Sequence, residues 1–154
     1  MIRVYLDNCC LQRHLDNQTH PRIRVETEAL FALLAAVSAK EIVLFSSEAL
    51  TYEISSIPDE TRRMETFAVL SLASEYLQVT DEVETLALAL EDQGLQTMDA
   101  LHLALASTAK ADYFCTCDDR LLRKVQSISI LDCKVITLLN SCLLYTSPSP
   151  RDGL

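Results

Sequence analysis

Four acidic residues hold matching places beside the apolar runs of this chain. Asp7 ends the run Arg3-Val4-Tyr5-Leu6, Glu53 lies two turns beyond Ile42-Val43-Leu44-Phe45, Asp99 opens the stretch Asp99-Ala100-Leu101-His102-Leu103-Ala104, and Asp118 follows Tyr113-Phe114-Cys115-Thr116. Carboxylates brought together repel one another and resist losing water, and a divalent cation relieves both costs. An all-oxygen donor set suits Mg²⁺ or Mn²⁺. A cation held this way acidifies a bound water and neutralises charge on a phosphoryl group, so the chemistry within reach is hydrolysis of a phosphate ester.

Each residue also has a plainer use. Asp118 and Asp119 are good helix caps, Asp7 is a suitable strand terminator, and Glu53 suits an exposed helix face, where Glu48 competes for any role it has. Asp99 is the hardest to explain as decoration, because the helix it opens is almost wholly apolar. His102, three positions on, shares its helix face and reads first as a satisfied core histidine, with contact to the pocket as the sharper alternative. Cys9-Cys10 and Cys115-x-Cys117 end two strands that can be neighbours, which would permit a soft-metal or redox site. Their spacing matches no four-ligand zinc motif, and strand alternation would turn Cys115 and Cys117 to one face as core fillers. The sequence contains no glycine-rich phosphate loop, no Ser-His-Asp order and no Cys-His nucleophile pattern.

The elements that must position these groups are predicted as follows. Strands are expected at Arg3–Leu6, Ile42–Phe45, Tyr76–Val79, Tyr113–Thr116 and Lys134–Ile136. After a helical turn at Asn8–Arg13, a helix over Ile23–Ala39 is expected to bury Val25, Ala29, Ala32, Leu33, Ala36 and Val37. Ser46-Ser47, Asp59, Thr80-Asp81 and Asp118-Asp119 supply N-caps, Pro58 and Gly94 supply stops, and Thr97–Lys110 reads as a buried helix. The helix capped by Asp59 is expected to run to about Glu75. Strands separated by one or two helices favour right-handed parallel crossovers, hence a three-layer α/β/α fold around a parallel sheet of about five strands. In such a sheet the carboxyl ends of the strands and the amino ends of the following helices share one rim, which is the address of all four acidic positions.

The chain of 154 residues is 49% hydrophobic with two glycines and four prolines, which fits one helix-rich domain and excludes a many-turned β-sandwich. We expect that domain over residues 1–142, followed at 143–154 by a disordered or foreign Ser/Pro tail. No membrane span or signal peptide is read, so the expected location is cytoplasmic and the cysteines are expected as reduced thiols. A net charge of −9, from 13 basic and 22 acidic residues, opposes a broad grip on nucleic acid and leaves any phosphate backbone to local cations. Arg13, Arg120 and Arg123 are the leading candidates, with Arg22, Arg24, Arg62, Arg63 and Lys124 behind them.

Taken in order, Val4-Tyr5-Leu6-Asp7-Asn8, the Ser47 to Glu53-Ile54 helix, Asp99-Ala100-Leu101-His102-Leu103-Ala104 and Thr116-Cys117-Asp118-Asp119-Arg120-Leu121 resemble the PIN domain, in particular the PIN nucleases of VapC-type toxin–antitoxin systems. The resemblance spans about residues 2–140. It implies a catalytic pocket of Asp7, Glu53, Asp99 and Asp118, with Asp7, Asp99 and Asp118 binding Mg²⁺ or Mn²⁺ and Asn8, Thr116 and Asp119 as auxiliaries. It also implies a metal-dependent endoribonuclease acting on RNA, an antitoxin protein as partner, and a homodimer. The sequence departs from the family at Cys9 and Cys10, where aliphatic residues are usual, and at the tail, where the family has a proline-led helix. The rival readings are a non-catalytic PIN scaffold that binds RNA or protein, and a phospho-receiver-like domain. The receiver is disfavoured, because Lys134 begins its strand and a receiver lysine ends one.

Overall fold

A computed structural model describes residues 1–142 and 144. Its five strands, β1 (Ile2–Leu6), β2 (Ile42–Ser47), β3 (Glu75–Leu77), β4 (Tyr113–Thr116) and β5 (Lys134–Thr137), form one parallel sheet in the order β3-β2-β1-β4-β5. The helices are α1 (Asn8–Leu11), α2 (Pro21–Ser38), α3 (Glu48–Ser55), α4 (Glu60–Leu70), α5 (Asp81–Asp92), α6 (Thr97–Thr108) and α7 (Asp119–Val125). The arrangement is the expected three-layer α/β/α fold. From β1 the chain builds outward through β2 to β3, then crosses back to β4 on the other side of β1 and continues to β5. The strand order therefore reverses between β1 and β4, and a parallel sheet opens a crevice at the carboxyl ends of such a pair.

The central strand explains its own position. Val4, Tyr5 and Leu6 are fully buried, as a run without polar alternation must be when helices cover both faces. Tyr5 stacks on Phe114 of β4 with ring centroids 5.3 Å apart. The pairing of Leu6 with Cys115 continues past the end of β1, where the Asp7 amide donates to the Cys115 carbonyl at 2.9 Å. Ser47, Asp59 and Thr80 cap α3, α4 and α5 as expected, accepting from the amides of Leu50, Arg62 and Val83. Gly94 ends α5 with φ of 102°.

Several expectations are corrected. Helix α2 begins at Pro21, which suits a first helical position, and its buried face holds Glu26, Thr27 and Leu30, whereas Val25 and Ala32 are exposed. Helix α4 stops at Leu70, because the Ser74 amide turns to the Leu44 carbonyl and the chain enters the sheet. β3 ends at Leu77, since the Val79 amide is taken by the Glu48 carboxylate and not by a neighbouring strand. Helix α6 is buried as predicted, from Ala100 and His102 through Ser107. The tail expected at 143–154 lies outside the described residues except for Leu144, which packs against the core.

Candidate active site

Asp7 is placed by β1 and held by its surroundings. Its carboxylate accepts from the Asn8 amide at 2.8 Å, which starts α1, and from the Thr116 hydroxyl at 2.9 Å. Thr116 is buried at the end of β4, and its oxygen also accepts from the Asp118 amide at 3.1 Å. One hydroxyl thus ties two acidic turns together across the sheet crevice. Asp7 is 8% exposed, and burial pushes its carboxyl well above the usual range; Cys9 and, less, Asp99 add to the rise, while His102 and the Thr116 hydrogen bond oppose it.

Asp99 stands in the first turn of α6, half-buried, and it too is raised, by burial first and then by the charges of Asp118 and Glu53. Asp99 and Asp118 line a cavity of about 120 Å³ with Gln96, Arg120, Leu121 and Lys124. Asp118 also caps α7, its Oδ1 accepting from the amides of Arg120 and Leu121. The capping and pocket roles are compatible because a carboxylate carries two oxygens.

Glu53 reaches the site through a relay. Its Oε1 is hydrogen-bonded to His102 Nε2, and His102 Nδ1 lies 2.6 Å from the Tyr5 hydroxyl, which lies 2.7 Å from Ser47 Oγ. An ionised carboxylate only accepts, so Nε2 donates to Glu53 and Nδ1 accepts from the Tyr5 O–H. Burial lifts the Tyr5 phenol well above its ordinary range, keeping that proton in place. His102 is 1% exposed, so the core and pocket readings of this residue both hold. Glu48 is excluded from the relay by its bond to Val79.

The structure gives other work to several predicted residues. Asn8 Oδ1 accepts from Gln12, so Asn8 acts on Asp7 through its backbone amide. Asp119 is exposed and pairs with Arg22 through both oxygens, at 2.7 and 2.8 Å, which holds its carboxyl below the usual range. Arg13, expected on a nucleic-acid face, instead pairs with Asp16 at 2.9 Å and with the fully buried Glu26 at 3.1 Å. A buried charge without a partner is costly, so Glu26 claims this guanidinium. Arg62 is likewise committed to Gln12, Leu15 and Asp16. Arg120 and Lys124 line the pocket, and Arg123 is exposed on the same helix.

The acidic oxygens influence one another without reaching mutual coordination distance. Among the described residues, the grouping of three or more ligand atoms within 4.8 Å is Cys9, Cys10 and Cys117. Cys115 and Cys117 are both buried in the core, as core fillers should be, and Cys117, one residue past the end of β4, also meets α1. Its sulfur lies 3.7 Å from that of Cys10, and hydrogen bonds from the Cys10 and Cys9 thiols draw its own thiol below the ordinary range. The oxygen-only set of Asp7, Asp99, Asp118 and Glu53 fits a hard divalent cation, and two of its carboxyls already show the penalty that such an ion relieves.

Among the described residues no helix is long and apolar enough to cross a membrane. No curated protein matches the chain at a significant level. Among solved structures, VapBC2 from Rickettsia felis, crystallised with a DNA fragment from its promoter, matches at 15% identity and a TM-score of 0.57, over 88% of this chain and 98% of that one. FitAcB from Neisseria gonorrhoeae matches at 14% identity and a TM-score of 0.58, over 88% and 97%. The family model described as PIN domain matches residues 4–127, a span that takes in Asp7, Glu53, Asp99 and Asp118. The chain belongs to the PIN domain family.

Proposed function

We propose that this protein is an endoribonuclease dependent on Mg²⁺ or Mn²⁺ and that it is the toxin of a type II toxin–antitoxin pair. The observation that carries the nuclease reading is the convergence of acidic turns at the β1–β4 crevice, where Asp99 and Asp118 line one cavity and Thr116 ties the Asp118 turn to Asp7. Asp7, Asp99 and Asp118 would hold the cation, which when bound supplies an acidified water and charge neutralisation at the scissile phosphate. Thr116 keeps Asp7 and the Asp118 turn in register. Glu53, oriented by His102 at Oε1, takes the proton from the attacking water. Arg120 and Lys124 sit at the pocket to receive backbone phosphates, with Arg123 beside them. Hydrolysis by this route forms no covalent intermediate on the chain.

Support for the toxin reading is the likeness to VapBC2 and FitAcB. We propose an antitoxin protein that covers the acidic pocket, a homodimer as the working form, and a cytoplasmic location. The test is cleavage of RNA by the purified chain with Mn²⁺ or Mg²⁺. Activity should vanish with EDTA and fall about 10²–10³-fold in Asp99→Asn, the scale of losing one electrostatic stabiliser. Cleavage that survives both treatments refutes the reading, and failure to bind Mn²⁺ at all favours the non-catalytic scaffold.

A further inference from the structure

Cys9, Cys10 and Cys117 bring three sulfur atoms to one point from two distant parts of the chain. Cys9 and Cys10 lie on α1, immediately after Asp7, and Cys117 lies in the turn between Thr116 and Asp118. All three sulfurs lie within 4.8 Å of one another. The Cys10 and Cys117 sulfurs are 3.7 Å apart. Two thiolates bound tetrahedrally to one zinc at about 2.3 Å stand about 3.8 Å apart, so this pair already has the separation that one ion requires. A disulfide would need the same atoms to close to about 2.05 Å. Cys115, the other cysteine at the end of β4, is not part of the group.

We propose that Cys9, Cys10 and Cys117 form a three-thiolate site for Zn²⁺ that clasps α1 to the β4–α7 turn, distinct in its donors from the oxygen-lined pocket it adjoins, where the Cys9 thiol also donates to Asp7 Oδ2 at 3.5 Å. The donor chemistry makes the distinction: thiolates select soft, thiophilic ions, whereas the adjoining carboxylates select hard ones. Each thiol that ligates gives its proton to solvent, and zinc replaces the hydrogen-bond chain in which Cys9 receives the Cys117 amide and Cys10 donates to the Cys115 carbonyl. The fourth position is left to an oxygen donor. Such a clasp would join the two turns that carry Asp7 and Asp118. The inference does not depend on the nuclease reading, since it concerns sulfur ligands alone.

The test is titration of the reduced full chain with Co²⁺ under anaerobic conditions. One equivalent should produce sulfur-to-cobalt charge-transfer absorption in the near ultraviolet and tetrahedral visible bands, both erased by added Zn²⁺. X-ray absorption at the zinc edge should then report three sulfur neighbours. Cys10→Ser and Cys117→Ser should lose the charge-transfer band or weaken binding at least about 10-fold, while Cys133→Ser and Asp99→Asn keep it. The wild-type spectrum decides even if a serine variant fails to fold: a chain that binds Co²⁺ without the charge-transfer band, or Zn²⁺ with only oxygen and nitrogen neighbours, overturns the proposal. Persistence of the band in Cys117→Ser at unchanged affinity overturns it as well. Loss of RNA cleavage in Asp99→Asn leaves the sulfur signature intact, so the two readings fail separately.

Discussion

Thr116→Val isolates the contact that couples the two acidic turns. The threonine is fully buried, and valine preserves its shape while removing the oxygen. Three contacts disappear: donation to Asp7 Oδ2 at 2.9 Å, acceptance from the Asp118 amide at 3.1 Å, and a weak contact with Cys9 Sγ at 3.6 Å. A hydrogen bond to a charged group contributes about 1.5–3 kcal/mol and a neutral one about 0.5–1.5 kcal/mol. The added buried methyl returns about 1 kcal/mol. The net loss is therefore about 2 kcal/mol, which for a domain of this size lowers Tm by about 4–8 °C. Thr116→Ser keeps the oxygen and should lose much less. The penalty for valine should also grow with pH, because the bond strengthens as Asp7 ionises and burial delays that ionisation to above its ordinary 3.8. Thermal unfolding of the three proteins across a pH series, without added metal, measures this. A valine variant as stable as wild type at every pH would refute the role assigned to Thr116.

Asp7→Asn should raise the stability of the metal-free protein at neutral and alkaline pH. The folded-state carboxyl is raised by burial, then by Cys9 and Asp99, so its stabilising contribution is full below the ordinary 3.8 and is lost as pH rises through the raised value. The variant should flatten that decline, and the wild-type Tm should rise in Mn²⁺ by about 5–11 °C at a hundredfold excess over Kd, worth about 2.7 kcal/mol, while the variant's does not. Calorimetric scans with and without Mn²⁺ check both effects; an unchanged decline in the variant would disprove the assignment. Lys110→Gly should stabilise by about 1 kcal/mol, because Lys110 ends α6 with φ of 56°, where a side chain is strained and glycine is not. Urea denaturation reads this directly, with Lys110→Ala as the variant that should gain nothing.

The sheet and the helix caps were legible because their signals are local. An unbroken apolar run such as Val4-Tyr5-Leu6 specifies a strand covered on both faces, and Ser47, Asp59 and Thr80 each sit three residues before the amide they satisfy. What could not be read was set by distant partners. Glu26 lies in a helix whose apolar spacing pointed to Val25, and only Arg13 and Arg22, folded back over it, make its burial tolerable. The same pairing removes Arg13 from the pool of phosphate-binding cations. Glu48 and Glu53 are both reasonable site residues by spacing, and the choice is made by Val79 and His102, one on each side of α3.

The position of Asp7 follows from topology more than from its own neighbours. β1 has β2 on one side and β4 on the other, so the strand order reverses beside it, between β1 and β4. Asp7 follows β1 directly and Asp118 lies two residues beyond β4, so both stand at this rim. A carboxylate there is pressed on by burial and by the next acidic turn, yet it is also supplied with a hydroxyl from Thr116 and an amide from Asn8. Donors placed on one side of a costly charge make sense when a cation approaches from the other. Cys9 and Cys117 flank the same crevice, so the turns that support the hard-ion pocket are also the turns a soft ion would clasp. The two sites would then be related as load and brace: zinc on the sulfurs would hold the turns after β1 and β4 together, and with them Asp7 and Asp118.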